Sequence, residues 1–216
     1  MGRQCKRYRA DSTDSSSDEK DLKVFGEDPV DLVKRVDRKT IFFYSPVTVS
    51  TVLKFNVLLK RMSDVLTKDA WESGKQTSDE VITVFINSDG GDLKAGLSAA
   101  DHIRHCRVKI RCVVDGDASS AATLMAVAAT DTCLIMAHAT ILVHQLRSGV
   151  IGTHSEIKQE TLNCNKFETL MRRLYLECCG RLTSPILTKT LKSEICLLPE
   201  EAVKQGFCDA VFTHDI

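Results

Sequence analysis

Val81-Ile-Thr-Val-Phe-Ile86, running straight into Asn87-Ser-Asp-Gly-Gly91, is the stretch on which the fold turns. Six apolar or β-branched residues without alternation mark a strand buried on both faces, as in parallel sheets. The Asn-Ser-Asp-Gly-Gly cluster is a strong turn signal that ends it. A helical pattern follows from Leu93 to His105, then a second apolar strand from Val108 to Val114 ending at Asp115-Gly116. Next comes a helix of small residues, Ser119 to Ala129. Strands alternating with crossover helices imply an α/β fold with a mainly parallel sheet and right-handed connections.

Upstream, Thr40-Ile-Phe-Phe-Tyr44 reads as a short strand closed before Pro46. From Ser50 to Leu66 apolar residues recur at helical spacing (Leu53, Val57, Leu58, Met62, Val65), with Ser50 or Thr51 as the N-cap. Residues 67–79 are polar, contain Gly74 and read as a loop. Downstream, Cys133 to Met136 and Ile141 to Val143 are short strands. Glu156 to Cys179 is the longest helix, closed by Gly180 at the C′ position. Thr183 to Lys189 and Glu200 to Gln205 complete the helices, the last closed by Gly206. Residues 1–27 pair Arg3, Lys6, Arg7 and Arg9 with an acidic serine tract, and read as a disordered tail. Residues 28–216 form one folded domain.

Composition narrows the function classes. Lys plus Arg equals Asp plus Glu at 29 each, so the net charge of zero gives no footprint for nucleic acid or an anionic membrane. No apolar run reaches the ~18 residues of a membrane span, and the N-terminus has no signal core. The nine cysteines include no C-x-x-C pair and read as free thiols in a reducing cytosol. Neither a metal nor a cofactor is implied, and the expected location is cytoplasmic.

Three loops beyond strand ends carry candidate chemistry, since functional groups of such sheets gather there. Gly90-Gly91 permits positive φ and close backbone approach, as an oxyanion hole requires, or is a simple turn. Ser119 or Ser120 stands at a strand-to-helix junction, near unpaired N–H groups, as a nucleophile or as an N-cap. His144 ends an apolar strand, as a general base or as a hydrogen-bonded core histidine.

Order and spacing add to these separate signals. Phe85-Ile-Asn-Ser-Asp-Gly-Gly-Asp92, Gly116-Asp-Ala-Ser-Ser-Ala-Ala122, Val143-His-Gln145 and Glu200-Glu-Ala-Val-Lys-Gln-Gly-Phe-Cys-Asp209 resemble the successive signature blocks of the ClpP family. These are the proteolytic subunits of ATP-dependent Clp proteases, the S14 peptidases of the ClpP/crotonase superfamily. The resemblance spans about residues 29–213. It implies a ClpP/crotonase-like α/β fold of repeated β-β-α units, with Glu156 to Cys179 as a protruding handle helix. It further implies Ser120 as nucleophile, His144 as base, and the backbone N–H groups of Gly91 and Ala121 as the oxyanion hole. Leu146, Arg147, Ser148, Gly149 and Val150 would pair with an extended protein or peptide substrate. The implied partners are sister subunits in heptameric rings and an AAA+ unfoldase ATPase.

Two residues depart from the family pattern. Asp89 stands in place of proline, and Glu194 stands where the triad aspartate is usual. The extra methylene requires the loop to retreat by about a bond length, and a ~1 Å misplacement can cost on the order of 10²-fold. Ser193 cannot replace a carboxylate, and Asp209 belongs to a later block. An active serine endopeptidase of reduced rate is therefore expected. The rival readings are an inactive ring subunit that docks a chaperone, and an acyl-CoA enzyme of the crotonase type.

Overall fold

The computed structural model describes residues 33–213. The tail expected over residues 1–27, with its boundary at 28, lies outside the described residues. Seven strands form a single sheet in the order β1-β2-β3-β4-β5-β7, with β6 paired to β4. The strands are β1 (Val33–Arg35), β2 (Thr40–Phe43), β3 (Val81–Ser88), β4 (Lys109–Ser119), β5 (Cys133–Ile135), β6 (Thr140–Leu142) and β7 (Ala210–Val211). Only β1 runs antiparallel, against β2; every other pairing is parallel. The helices are α1 (Val49–Glu72), α2 (Leu93–Arg104), α3 (Ala121–Val127), α4 (His154–Cys178), α5 (Ser184–Ser193) and α6 (Pro199–Gln205). The α/β class with a mainly parallel sheet is as expected.

β3 and β4 form the centre, and Ile82, Val84, Ile86, Ile110, Cys112 and Val114 are fully buried. α1 lays Val52, Phe55, Leu59, Met62 and Leu66 against the sheet at spacings of three and four. Phe55 meets Phe43 of β2 edge to face at 5.8 Å. α1 is capped two residues before Ser50 and three before Thr51, the positions the sequence implied. Its N-cap is Thr48, whose hydroxyl accepts from the Thr51 N–H while Thr51 reaches back, a reciprocal capping box. It also runs on to Glu72, through residues that read as loop, because Ala70 still reaches the core.

β4 likewise passes its expected end. Asp115 to Asp117 bulge out opposite Asn87, with Gly116 at φ 101°, and the Asn87 Oδ1 accepts from the Asp117 N–H at 3.3 Å. Beyond the bulge β4 gains β6 as partner, pairing Ser119 with Leu142. This switch carries Ser119 beyond the ends of β3 and β5. α4 is capped by Thr153 and Glu156, and its buried residues, Met171, Leu174 and Tyr175, all lie in its last turns. Its earlier turns are mostly exposed, with Glu160, Cys164 and Phe167 half-buried, as expected of a handle. Gly180 follows the Cys179 cap without entering the left-handed region, whereas Gly206 does so at φ 90°. Among the described residues no helix is long and apolar enough to cross a membrane.

Candidate active site

Ser120 occupies the single position between β4 and α3, at φ 54° and ψ −124°. Among the described residues, Ser120 and Glu194 are the non-glycines with positive φ. A non-glycine backbone so placed costs about 1–3 kcal/mol and persists only where the surroundings impose it. Here the Ser120 N–H donates to the Leu142 carbonyl at 2.8 Å, tying the turn to β6. The Ser120 carbonyl accepts from the Thr123 N–H at 3.1 Å and from the Thr123 hydroxyl at 2.5 Å. The Ser120 hydroxyl makes no capping bond to α3, so its position at the helix start does not consume it.

The Gly90-Gly91 turn lies directly against this junction. A Cβ on Gly90, at φ 87°, would fall 2.4 Å from the Ser119 carbonyl oxygen and 2.7 Å from the Ser120 Cβ. A Cβ on Gly91, at φ 147°, would fall 2.3 Å from the Val47 carbonyl oxygen. Both glycines are thus demanded by sterics as well as by φ. The bridge that holds the turn uses the Val47 N–H, donated to the Gly90 carbonyl, and the Asp92 N–H, donated to the Val47 carbonyl, each at 2.8 Å. The Gly91 N–H is left out of that bridge. Ala121 is the first residue of α3, where N–H groups have no intrahelical acceptor and the dipole is positive.

Ser120, Ala121, Gly91, His144, Leu146, Arg147 and Ser148 line one cavity of about 490 Å³. Six of these were named for catalysis or substrate contact around Ser120, and the structure brings them together with it. Gly149 and Val150 lie further along the same exposed segment, outside the cavity lining. His144 faces the cavity, but its Nδ1 lies 2.6 Å from the carbonyl oxygen of Gln145. A carbonyl can only accept, so Nδ1 carries the proton and Nε2 is free to receive one. That is the tautomer a general base needs. No Ser120–His144 hydrogen bond is formed among the described residues.

Glu194 is not on His144. Its carboxylate accepts from the Arg147 guanidinium at 2.7 Å, in an exposed ion pair. Glu194 caps α5 in the left-handed conformation (φ 49°, ψ 36°). Asp209 accepts from the Cys133 N–H at 2.8 Å and joins β5 to the chain end, which removes it from the site. Among the described residues no cluster of three or more His, Cys, Asp or Glu is placed to hold a metal.

The structure adds two residues that no sequence signal had marked. Thr123 and Tyr175 are buried, and their hydroxyls are hydrogen-bonded to each other. Because Thr123 donates to the Ser120 carbonyl, Tyr175 is the donor to Thr123. Burial pushes the Tyr175 phenol well above its ordinary range, against the opposing effect of the Thr123 bond, so it keeps the proton it donates. Tyr175 resembles any core aromatic of a long helix, and only the packing of α4 over α3 gives it this role.

The sequence pattern of the Clp protease family matches residues 30–215. The proteolytic subunit 1 of the ATP-dependent Clp protease of Corynebacterium diphtheriae is 30% identical over 138 residues, 63% of this chain and 66% of that protein. Subunit 2 from Chlamydia trachomatis is 30% identical over 135 residues, 61% of this chain and 65% of that protein. The chain thus matches just under two thirds of the length of these curated relatives. A solved structure of a ClpP1 mutant from Listeria monocytogenes superposes with a TM-score of 0.69 over 82% of this chain and 93% of that one, at 21% identity. This likeness establishes a shared fold. Because the family match runs from residue 30 to 215 and takes in every described strand and helix, the chain belongs to the Clp protease family.

Proposed function

We propose that the chain is a serine endopeptidase, the proteolytic subunit of an ATP-dependent Clp protease, with Ser120 as nucleophile and His144 as base. One observation carries this reading: Ser120, held at positive φ with its hydroxyl uncommitted, opens on a cavity shared with His144, Gly91 and Ala121. In the reaction His144 Nε2 takes the Ser120 proton as Oγ attacks the peptide carbonyl. The Gly91 and Ala121 N–H groups receive the oxyanion. The imidazolium then gives its proton to the leaving amine, and water releases the acyl group by the reverse sequence. Leu146 to Val150, which has no partner strand among the described residues, offers its backbone to an extended substrate.

Glu194 is the proposed triad acid and must leave Arg147 to reach His144. Until then the Gln145 carbonyl orients the imidazole without supplying a full negative charge. Apo sites often align only when substrate binds. The names of the relatives, proteolytic subunits of ATP-dependent proteases, support work with sister subunits and an ATPase, and the proposal extends this to stacked heptameric rings and an AAA+ unfoldase. The exposed apolar residues Ile157 and Leu162 on α4 are suited to contacts between rings. The engagement of Glu194 by Arg147 favours one second reading, a ring subunit that assembles without cleaving. Hydrolysis of a fluorogenic peptide by the sized oligomer, compared with Ser120→Ala, separates the two. Loss of turnover in the variant supports the peptidase; no turnover in either supports the silent subunit.

A further inference from the structure

We propose that Arg147 is a substrate-responsive restraint on the triad acid, released by a carboxylate side chain in the bound peptide. The proposal rests on the peptidase reading of Ser120 and His144. Arg147 belongs to both places at once: it lines the cavity beside Ser120, and its guanidinium holds Glu194 at 2.7 Å. Asp89 of the glycine turn is a further carboxylate of that lining, and the remaining charged groups, Asp92, Glu160 and Lys94, have partners of their own. Asp92 caps α2 through the Ala95 N–H at 2.7 Å, Glu160 accepts from the Ser148 hydroxyl at 3.2 Å, and the Lys94 ammonium sits 4.8 Å over the Phe167 ring. Arg147 therefore stands as the cation of the cavity whose partner is the acid that catalysis needs.

The restraint is weak enough to be reversible. Arg147 and Glu194 are 71% and 46% exposed, and such solvated pairs shift an equilibrium by at most about fivefold. A peptide carboxylate beside the scissile bond offers Arg147 an equivalent fork of oxygens. Glu194 is then free to turn to His144 Nδ1, displacing the Gln145 carbonyl. Acidic peptides thereby complete the triad that processes them.

Two fluorogenic peptides differing only as Glu against Gln next to the scissile bond test the idea, on the assembled wild type and on Arg147→Gln and Arg147→Lys. Wild type is expected to favour the Glu peptide by about fivefold, expressed in kcat, with the preference collapsing in R147Q and partly restored in R147K. The rate at which a neutral fluorophosphonate labels Ser120 is expected to rise about threefold to fivefold in R147Q. A Glu preference confined to KM, with labelling unchanged in R147Q, would overturn the proposal and leave Arg147 as a simple binding residue. Ser120→Ala separates the two levels: if it cleaves as fast as wild type, the peptidase reading itself falls.

Discussion

The Tyr175 hydroxyl donates to Thr123 Oγ1, and Thr123 in turn donates to the carbonyl of Ser120, so the handle helix α4 holds the strained turn at the nucleophile. Tyr175 is itself braced edge to face against Phe207 at 5.9 Å. Tyr175→Phe keeps the ring and removes one hydrogen bond, a net loss of about 0.5–1.5 kcal/mol. The expected outcome is a kcat lowered by roughly twofold to tenfold with KM unchanged, read from steady-state peptide hydrolysis. Thr123→Val leaves the buried Tyr175 hydroxyl without its acceptor, while the Ser120 carbonyl keeps the N–H of residue 123, and is expected to cost about 1–3 kcal/mol of stability in a denaturant titration.

Gly91→Ala places a methyl group 2.3 Å from the Val47 carbonyl oxygen and displaces an N–H proposed to face the oxyanion. Loss of one such donor costs on the order of 10²–10³ in kcat. Steady-state kinetics should show this drop at unchanged oligomer size on a sizing column. A variant with wild-type kcat would remove Gly91 from the oxyanion hole.

Glu194→Ala tests how much the acid contributes when the Gln145 carbonyl already holds His144 in its working tautomer. A triad that loses its acid and adopts the wrong tautomer falls by about 10⁴-fold. Here the tautomer is retained and only the charge is lost, so a decrease of roughly 10²-fold in kcat is expected. A decrease as large as that of Ser120→Ala would show that the carbonyl does not substitute.

Much of this was legible from residue pattern. The run at Val81–Ile86, the glycine turn and the serine junction each carry local signals, and their order points to one family. What was missed depends on partners distant in the chain. Thr67 to Glu72 read as loop because it is polar, yet helix formers and the buried Ala70 carry α1 through it. Asp115-Gly116 read as a stop because a bulge and a turn use the same residues; pairing with β6 is what continues the strand. β1 and β7 are too short to announce themselves without neighbours. Glu194 stands out in sequence for its departure from aspartate, but no local pattern links it to Arg147, 47 residues away. The Thr123–Tyr175 bond spans 52 residues and is equally invisible in sequence.

The start of α4 should be sensitive to acid. The Thr153 N–H, and secondarily its hydroxyl, bond the Glu156 carboxylate and hold it below the usual range. A depressed folded-state pKa contributes stability above the unfolded value of 4.5, lost as pH falls through the folded one. Amide exchange in the first turn of α4 is therefore expected to accelerate, relative to the intrinsic rate, below about pH 4.5. Glu156→Ala should show the faster exchange at neutral pH and lose the acid dependence. Unchanged protection in that variant would remove the capping box as the cause.

The most direct measurement maps, by mass spectrometry, the residue modified by a fluorophosphonate in the wild type and in His144→Gln. An adduct on Ser120, formed at least about 10²-fold more slowly once the imidazole is gone, is the expected result. An unmodified protein, an adduct on Ser119 instead, or labelling of Ser120 at the same rate without His144 would contradict the pairing of hydroxyl and base.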